Sequence, residues 1–345
     1  MTWLVTGGAG YIGSHVVRAF GEMGLETVVL DDLSSGHADF VPADVPLIRG
    51  SILDTGLVRQ VLAEHQVSGV VHVAGFKYAG VSVTRPLHTY QQNVTGTLSV
   101  LEAMATEGVD EIVFSSSAAV YGTPHTDLVT ESTQPAPESP YGESKLIGEW
   151  LLRDQGRAVG LRHTSLRYFN VVGSGSPELS DTSPHNLFPL VLEALTAGRT
   201  PRLNGVDYDT PDGTCVRDYI HVADLALAHV AAARILGARG PLEPVYNLGS
   251  GEGVSVREIM TAMAEVTGIT FDPEVGPRRP GDPDRIVASG ELAERDLDWR
   301  MRHSLHDMVA SAWQARQAAA ATLPATVSAT LSATVSATVS ATSER

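Results

Sequence analysis

TWLVTGGAGYIG, residues 2–13, decides the fold. Five residues of strand-forming character run into glycines that cannot continue a strand, and a helical periodicity, HVVRAFGEMG at 15–24, follows directly. The glycines satisfy two spacings, G-x-G-x-x-G through Gly8, Gly10 and Gly13, or one glycine in three through Gly7, Gly10 and Gly13. Either supplies a tight turn and close backbone approach to a pyrophosphate, which the free N–H groups and dipole of the next helix stabilise.

The second strand, TVVLD at 27–31, ends in Asp31. A carboxylate at that place accepts hydrogen bonds from the adenosine ribose hydroxyls and repels a 2′-phosphate. Asp32 stands beside it and DDLSSG carries no arginine, so the expected cofactor is NAD rather than NADP. Further strand-like runs follow at PLIRG (46–50), GVVHVAG (69–75), EIVFSSS (111–117) and TSLRYF (164–169), with helical patterns such as LSVLEAMATEG (98–108) between them. Near-continuous apolar strands separated by helices predict an α/β, Rossmann-type, doubly wound parallel sheet.

After residue 170 the character changes, with long polar loops at 173–185 and 203–214. The expected organisation is a Rossmann domain over 1–170 and a smaller, loop-rich C-terminal substrate-binding domain over 171–321. Strand-like stretches such as VYNLG (245–249) interleave the two. Repeats of ATVS and ATLS fill the end, and residues 322–345 are expected to be a disordered low-complexity tail.

The chain has 24 basic and 40 acidic side chains, a net charge of −16, which argues against nucleic acid as a partner. One cysteine, Cys215, cannot form an intrachain disulfide, and no Cys/His cluster has zinc spacing. With no signal-peptide pattern and no uncharged apolar run of about 18 residues, a cytoplasmic protein free of membrane is expected.

SPYGESK, residues 139–145, places Tyr141 and Lys145 four apart on a helix that starts near Pro140. A phenol is a poor base at neutral pH, but an adjacent ammonium and a positive nicotinamide ring both stabilise its phenolate. The pair could then exchange a proton with a substrate hydroxyl, and FSSSAAVYG (114–122) offers a hydroxyl partner at a strand end. Strand C-terminal ends are where open α/β sheets bind ligands.

GGAGYIG, VAGFKYAG, FSSSAAVYG, SPYGESK and LRYFN, in this order, resemble the extended short-chain dehydrogenase/reductase family over residues 1 to about 316. Within it, VAGFKYAGVSV, DGTCVRDYIHV, YNLGSG and PRRPGD are most similar to the UDP-glucose 4-epimerases. The resemblance implies Tyr141 as catalytic acid/base, Lys145 on the nicotinamide ribose and Ser117 as hydrogen-bond partner or relay. It implies that Gly7, Gly10, Tyr11, Ile12, Gly13, Asp31, Asp32, Ser51, Ile52, Val73, Ala74, Gly75, Lys77, Asn93 and Phe169 surround NAD. Ser51 departs from the aspartate usual in the family. Arg217 and Arg279 are implied to clamp the two phosphates of a UDP-hexose, with Ser117, Asn170, Asn186, Leu187, Asn204, Tyr219 and Asp282 completing the substrate pocket. A homodimer through helices near 96–105 and 139–152 is implied as well.

The function so implied is NAD-dependent interconversion of UDP-glucose and UDP-galactose through a 4-keto intermediate. A 4,6-dehydratase needs an acid to expel the 6-hydroxyl, and Ala118, Ala119 and Val120 follow Ser117 instead. A residue near Ile286 gates the sugar in relatives, and isoleucine is of intermediate size, so 4-epimerisation of UDP-N-acetylhexosamines or another nucleotide sugar stays open. A non-catalytic NAD-sensing scaffold needs no Ser, Tyr and Lys set.

Overall fold

The computed structural model describes residues 1–279 and 282–322. The expected tail, apart from Thr322, and Pro280 and Gly281 of the PRRPGD motif lie outside the described residues.

The first half runs β1 (Thr2–Thr6), α1 (Tyr11–Glu22), β2 (Glu26–Asp31), β3 (Leu47–Arg49), α2 (Thr55–Glu64), β4 (Val67–His72), α3 (Ala79–Ser82) and α4 (Pro86–Tyr90). It continues with α5 (Gly96–Glu107), β5 (Glu111–Ser115), α6 (Pro140–Val159) and β6 (Arg162–Tyr168). The second half runs β7 (Asn170–Val172), α7 (Leu187–Thr196), β8 (Arg202–Asn204), β9 (Val216–Arg217), β10 (Tyr219–His221), α8 (Val222–Gly237) and β11 (Val245–Leu248). β12 (Val254–Ser255), α9 (Val256–Thr267), β13 (Glu274–Gly276), β14 (Arg285–Ile286), α10 (Glu291–Leu297) and α11 (Leu305–Thr322) complete it.

Seven strands form one sheet in the order β11-β6-β5-β4-β1-β2-β3, with every pair parallel. This is a Rossmann-type doubly wound sheet. The order reverses between β1 and β4, where such sheets open a crevice. Alternation along β1 explains both layers. Trp3 and Val5 point to one core with Phe20 of α1 and Leu225 of α8, and Leu4 points to the other with Val58 of α2 and Val100 of α5. A third core joins α7, α9 and α11 through Phe188, Leu192, Ile259, Met263 and Val309. Among the described residues no helix is long and apolar enough to cross a membrane.

The chain does not leave the sheet at residue 170. Helix α8 packs on α1, and β11 pairs with β6 as the seventh strand. Small side chains explain the packing, since Ala226, Ala228, Ala232 and Ala233 are buried and let α8 approach closely. Sequence periodicity starts α1 at His15, yet the helix begins at Tyr11, with Gly10 as N-cap and no capping side chain. Its first-turn N–H groups therefore keep their hydrogen-bonding capacity. Helix α6 begins where the sequence places it. Ser139 caps it by accepting the Gly142 N–H, Pro140 opens it, and Gly160 ends it at φ 78°. A π-helical turn at Gln91–Thr95 joins α4 to α5, which no sequence period signals.

Candidate active site

The crevice is a cavity of about 810 Å³ that runs from the glycine turn to the loops of the second half. At its floor the structure chooses between the two glycine spacings. Gly7, Gly10 and Gly13 line the cavity, whereas a Cβ on Gly8 would lie 2.7 Å from Val29. Gly7 adopts φ +72°, and a Cβ on Gly13 would lie 2.1 Å from the Gly7 carbonyl oxygen. The turn is thus folded back on the start of α1 with only backbone between them. A dinucleotide phosphate can reach that backbone.

Asp31, at the C-terminal end of β2, accepts the Ala9 N–H at 3.0 Å and the Leu33 N–H at 2.8 Å. Burial pushes its carboxyl up, and these two hydrogen bonds pull it down. The carboxylate retains lone pairs toward the cavity it lines. Asp32, Ile52, Val73, Ala74, Gly75 and Lys77 line the same half, with Tyr11 and Ile12. The Tyr11 hydroxyl donates to the Gly173 carbonyl at 2.6 Å, tying the first turn of α1 to the loop after β7.

Two expected cofactor residues stand behind the wall. Asn93, in the π-helical turn, is buried and has both amide hydrogens and one oxygen lone pair engaged. Its Oδ1 accepts from Phe76 N at 2.6 Å, and Nδ2 donates to Phe76 O at 3.0 Å and to Ser144 Oγ at 2.8 Å. The asparagine therefore shapes the loop that carries Gly75 and Lys77. Ser51 accepts from Leu53 N at 3.2 Å and is not on the cavity wall.

Tyr141 and Lys145 line the cavity beside Phe169 and Asn170. The Lys145 ammonium lies 5.9 Å from the Tyr141 ring centroid and donates to the Ser115 carbonyl at 2.9 Å. Burial pulls the Lys145 amine down to about 8, opposed by the Glu149 carboxylate. Burial pushes the Tyr141 phenol up, and a hydrogen bond with Ser117 counters it. Ser117 lies just behind the wall, where its Oγ also accepts from Ala119 N at 3.2 Å, so it serves both as turn cap and as phenol partner. The turn it caps carries Ala118, Ala119 and Val120, with no carboxylate among them.

The far half is lined by Asn186, Leu187, Asn204, Arg217, Tyr219, Arg279 and Asp282. Arg217 is held by Asp282 at 2.5 Å and by the carbonyls of Pro283 and Val216 at 2.6 and 2.7 Å. Sequence reasoning missed several lining residues. Arg85 and Arg202 also line the cavity, and Asp181 accepts from Asn186 Nδ2 at 3.0 Å. Tyr78, after β4, and His185, before α7, both line the cavity and meet edge to face with centroids 4.9 Å apart. Tyr78 lies within the VAGFKYAG motif without being singled out by it, and His185 closes the polar loop at 173–185. Among the described residues no group of three His, Cys, Asp or Glu side chains could hold a metal ion.

Comparison with known proteins agrees with this geometry. Residues 3–249 match the model of the NAD dependent epimerase/dehydratase family. The chain is 43% identical over 318 residues to a UDP-glucose 4-epimerase of Azospirillum brasilense, covering 90% of this chain and 91% of the relative. It is 42% identical over 317 residues to that of Corynebacterium glutamicum, covering 91% and 95%. A crystal structure of UDP-glucose-4-epimerase from Stenotrophomonas maltophila, with bound NAD and formylated UDP-arabinopyranose, superposes with a TM-score of 0.89 at 36% identity, covering 94% of this chain and 100% of that one. A glycine turn over β1, a tyrosine and lysine on α6, and likeness over nine-tenths of the sequence lead to one conclusion: the chain belongs to the NAD dependent epimerase/dehydratase family.

Proposed function

We propose that this chain is an NAD-dependent 4-epimerase that interconverts UDP-glucose and UDP-galactose. The observation that carries the reading is the meeting of Tyr141 and Lys145 on the wall of a cavity whose floor is the glycine turn and Asp31, with Ser117 bonding the phenol from just behind that wall. The residues fit a dinucleotide: the Gly7 to Gly13 turn exposes backbone to a pyrophosphate, Asp31 receives ribose hydroxyls, and Lys77 adds a cation. Bound NAD supplies a hydride acceptor that is also the donor on return, so no second redox partner is needed.

The rest falls to this chain's residues. Tyr141 takes the 4-hydroxyl proton as the C4–H bond breaks, and Lys145 offsets the phenolate charge at that moment. Ser117 holds the phenol from behind and completes the path of the proton. The resulting 4-keto sugar is flat at C4. After the hexose turns over, Tyr141 returns the proton to the 4-oxygen. Arg217 and Arg279 hold the diphosphate, so that the sugar can rotate without leaving. The absence of a carboxylate at 118–120 supports epimerisation over dehydration.

Ile286 and the cavity-lining Phe169 pack against the same small core of Val120, Tyr121, Val129, Leu146 and Ala288. The homodimer implied by resemblance is supported by exposed apolar side chains on the same helices, Leu98 on α5 and Trp150 on α6. We place the protein in the cytoplasm, where its one thiol needs no partner.

The test incubates purified protein, without added cofactor, with UDP-galactose and separately with UDP-N-acetylgalactosamine. UDP-glucose forms from the first substrate and is lost in Tyr141→Phe. Conversion of the second would extend the reading to N-acetylhexosamines. No turnover of either sugar, even with NAD supplied, overturns the reading.

A further inference from the structure

Behind the Tyr141 and Lys145 face of α6 lies a buried charge pair that the reaction as described does not use. Glu149, one turn beyond Lys145, and Arg167 on β6 are 6% and 4% exposed. Arg167 grips the carboxylate with both arms, Nε to Oε1 at 2.8 Å and Nη2 to Oε2 at 2.5 Å. Oε1 also accepts from Ser116 Oγ at 2.5 Å. Arg167 Nη1 donates to the Tyr121 hydroxyl at 2.8 Å, which donates to Asn247 Oδ1 at 2.7 Å. Neither Glu149 nor Arg167 reaches the cavity.

Its position argues for more than stability. A buried ion pair is no more stabilising than well-packed apolar residues of similar volume, so an ionic solution here invites another explanation. Ser116 sits between Ser115, whose carbonyl takes the Lys145 ammonium, and Ser117, which bonds the Tyr141 phenol. A single carboxylate therefore links the end of β5 to α6 at the point where the three proposed reacting groups meet.

We propose that Glu149, backed by Arg167, is a positioning residue that locks the β5 end to α6 and supplies the negative charge that holds the Lys145 ammonium beside Tyr141. The inference rests on the epimerase reading for its catalytic consequence, but its physical content is independent of turnover. Lys145 is faced by Tyr141 and Glu149 on α6, by His72 on β4 and by the Ser115 carbonyl and Phe114 ring on β5. Glu149 is faced by Arg167 and His163 on β6 and by Ser116. Burial pulls His72 down to about 3, so it is neutral across the working range. Glu149 is the negative group in the set.

The chain offers an unusually direct test because it contains two lysines, Lys77 and Lys145. With ε-¹³C-lysine incorporated into the full chain, NMR titration resolves both, and Lys77→Arg assigns them. Lys145 is expected to titrate near 8, and Glu149→Gln is expected to lower that midpoint by about one pH unit. Lys77 stays in place. In turnover of UDP-galactose the alkaline limb of kcat should move down by the same amount, with KM changed less than about twofold, because Glu149 touches no substrate. A purely structural role would lower kcat equally at every pH and leave both the limb and the midpoint fixed. If Glu149→Gln does not fold, the double change Glu149→Met with Arg167→Met removes both buried charges together and keeps an apolar core. An unchanged Lys145 midpoint in whichever of these variants folds overturns the inference. A shifted midpoint in a protein that turns over no UDP-hexose would instead uphold the positioning role and sink the epimerase reading.

Discussion

Replacing Gly13 by alanine tests the stretch on which the fold reading began. The added Cβ would stand 2.1 Å from the Gly7 carbonyl oxygen, where ordinary contact begins at 3.4 Å, so the turn must open by 3.4 − 2.1 = 1.3 Å. No side chain can swing aside, because the opposing atoms belong to the backbone of Gly7 and Gly8. The Gly7 peptide is held at both ends: its N–H donates to Leu30 O at 2.8 Å, and its carbonyl accepts from Gly10 N at 3.1 Å. Opening the turn sacrifices these two bonds, about 1 kcal/mol each, on top of an overpacking cost of about 1–3 kcal/mol. The sum is about 3–5 kcal/mol. If the whole fold bears it, Tm falls by about 6–10 °C, using about 2 °C per kcal/mol for a large domain. If the turn yields locally, NAD affinity bears it, and 3 kcal/mol is about 150-fold in Kd. The assay is NAD released per chain on acid denaturation, with thermal unfolding recorded with and without NAD. Two neighbours calibrate it. A Cβ on Gly10 meets only the Gly7 carbonyl at 3.3 Å and faces the cavity, so Gly10→Ala should keep Tm and lose NAD. Gly21, in α1 with nothing within 4 Å, should gain about 1 kcal/mol as alanine. Wild-type NAD content and a Tm within about 1 °C in Gly13→Ala would refute the reasoning.

Arg217→Leu should weaken UDP binding about 30- to 100-fold by calorimetry, since it removes a charged donor and leaves Asp282 facing the diphosphate unpaired. Affinity within about threefold of wild type would remove Arg217 from the clamp. Acid should destabilise the fold between pH 6.5 and 5, because burial pulls His15, His221 and His229 down to about 4 and His72 to about 3. Each is neutral when folded in that window and takes a proton when unfolded. Stability is therefore full above about pH 6.5 and falls by roughly 1.4 kcal/mol per pH unit for each histidine as pH drops, until the folded histidines protonate. Equal denaturant midpoints at pH 7.5 and 5.5 would contradict this. Trp150→Glu, at a position 46% exposed on α6, should shift sedimentation from dimer to monomer with Tm nearly unchanged. A wild-type chain that sediments as a monomer removes the premise.

What the sequence disclosed depended on how far apart the cooperating residues lie. The glycine turn, the Asp31 carboxylate and the Tyr141 and Lys145 pair are each fixed by local geometry, a turn, a strand end and one helical period, so a short quotation carries them. The return of the chain into the sheet was harder. VYNLG reads as a strand, but only the close approach of α8 to α1 makes it the seventh strand of the first sheet rather than part of a second domain. Asn93 shows the limit most clearly. Resemblance assigns it to the cofactor, and the structure adds bonds that no short quotation shows, from its amide to Phe76 and Ser144, residues 17 and 51 positions away. The same holds for Glu149, whose partners Ser116 and Arg167 come from two other strand ends. On α6 alone it is an acidic residue one turn past a lysine, which any solvated helix could carry. Only when β5 and β6 lie parallel beside α6 is that carboxylate placed behind the Lys145 ammonium. The sequence thus names the residues at the cavity wall, and tertiary pairing decides which residues hold that wall in place.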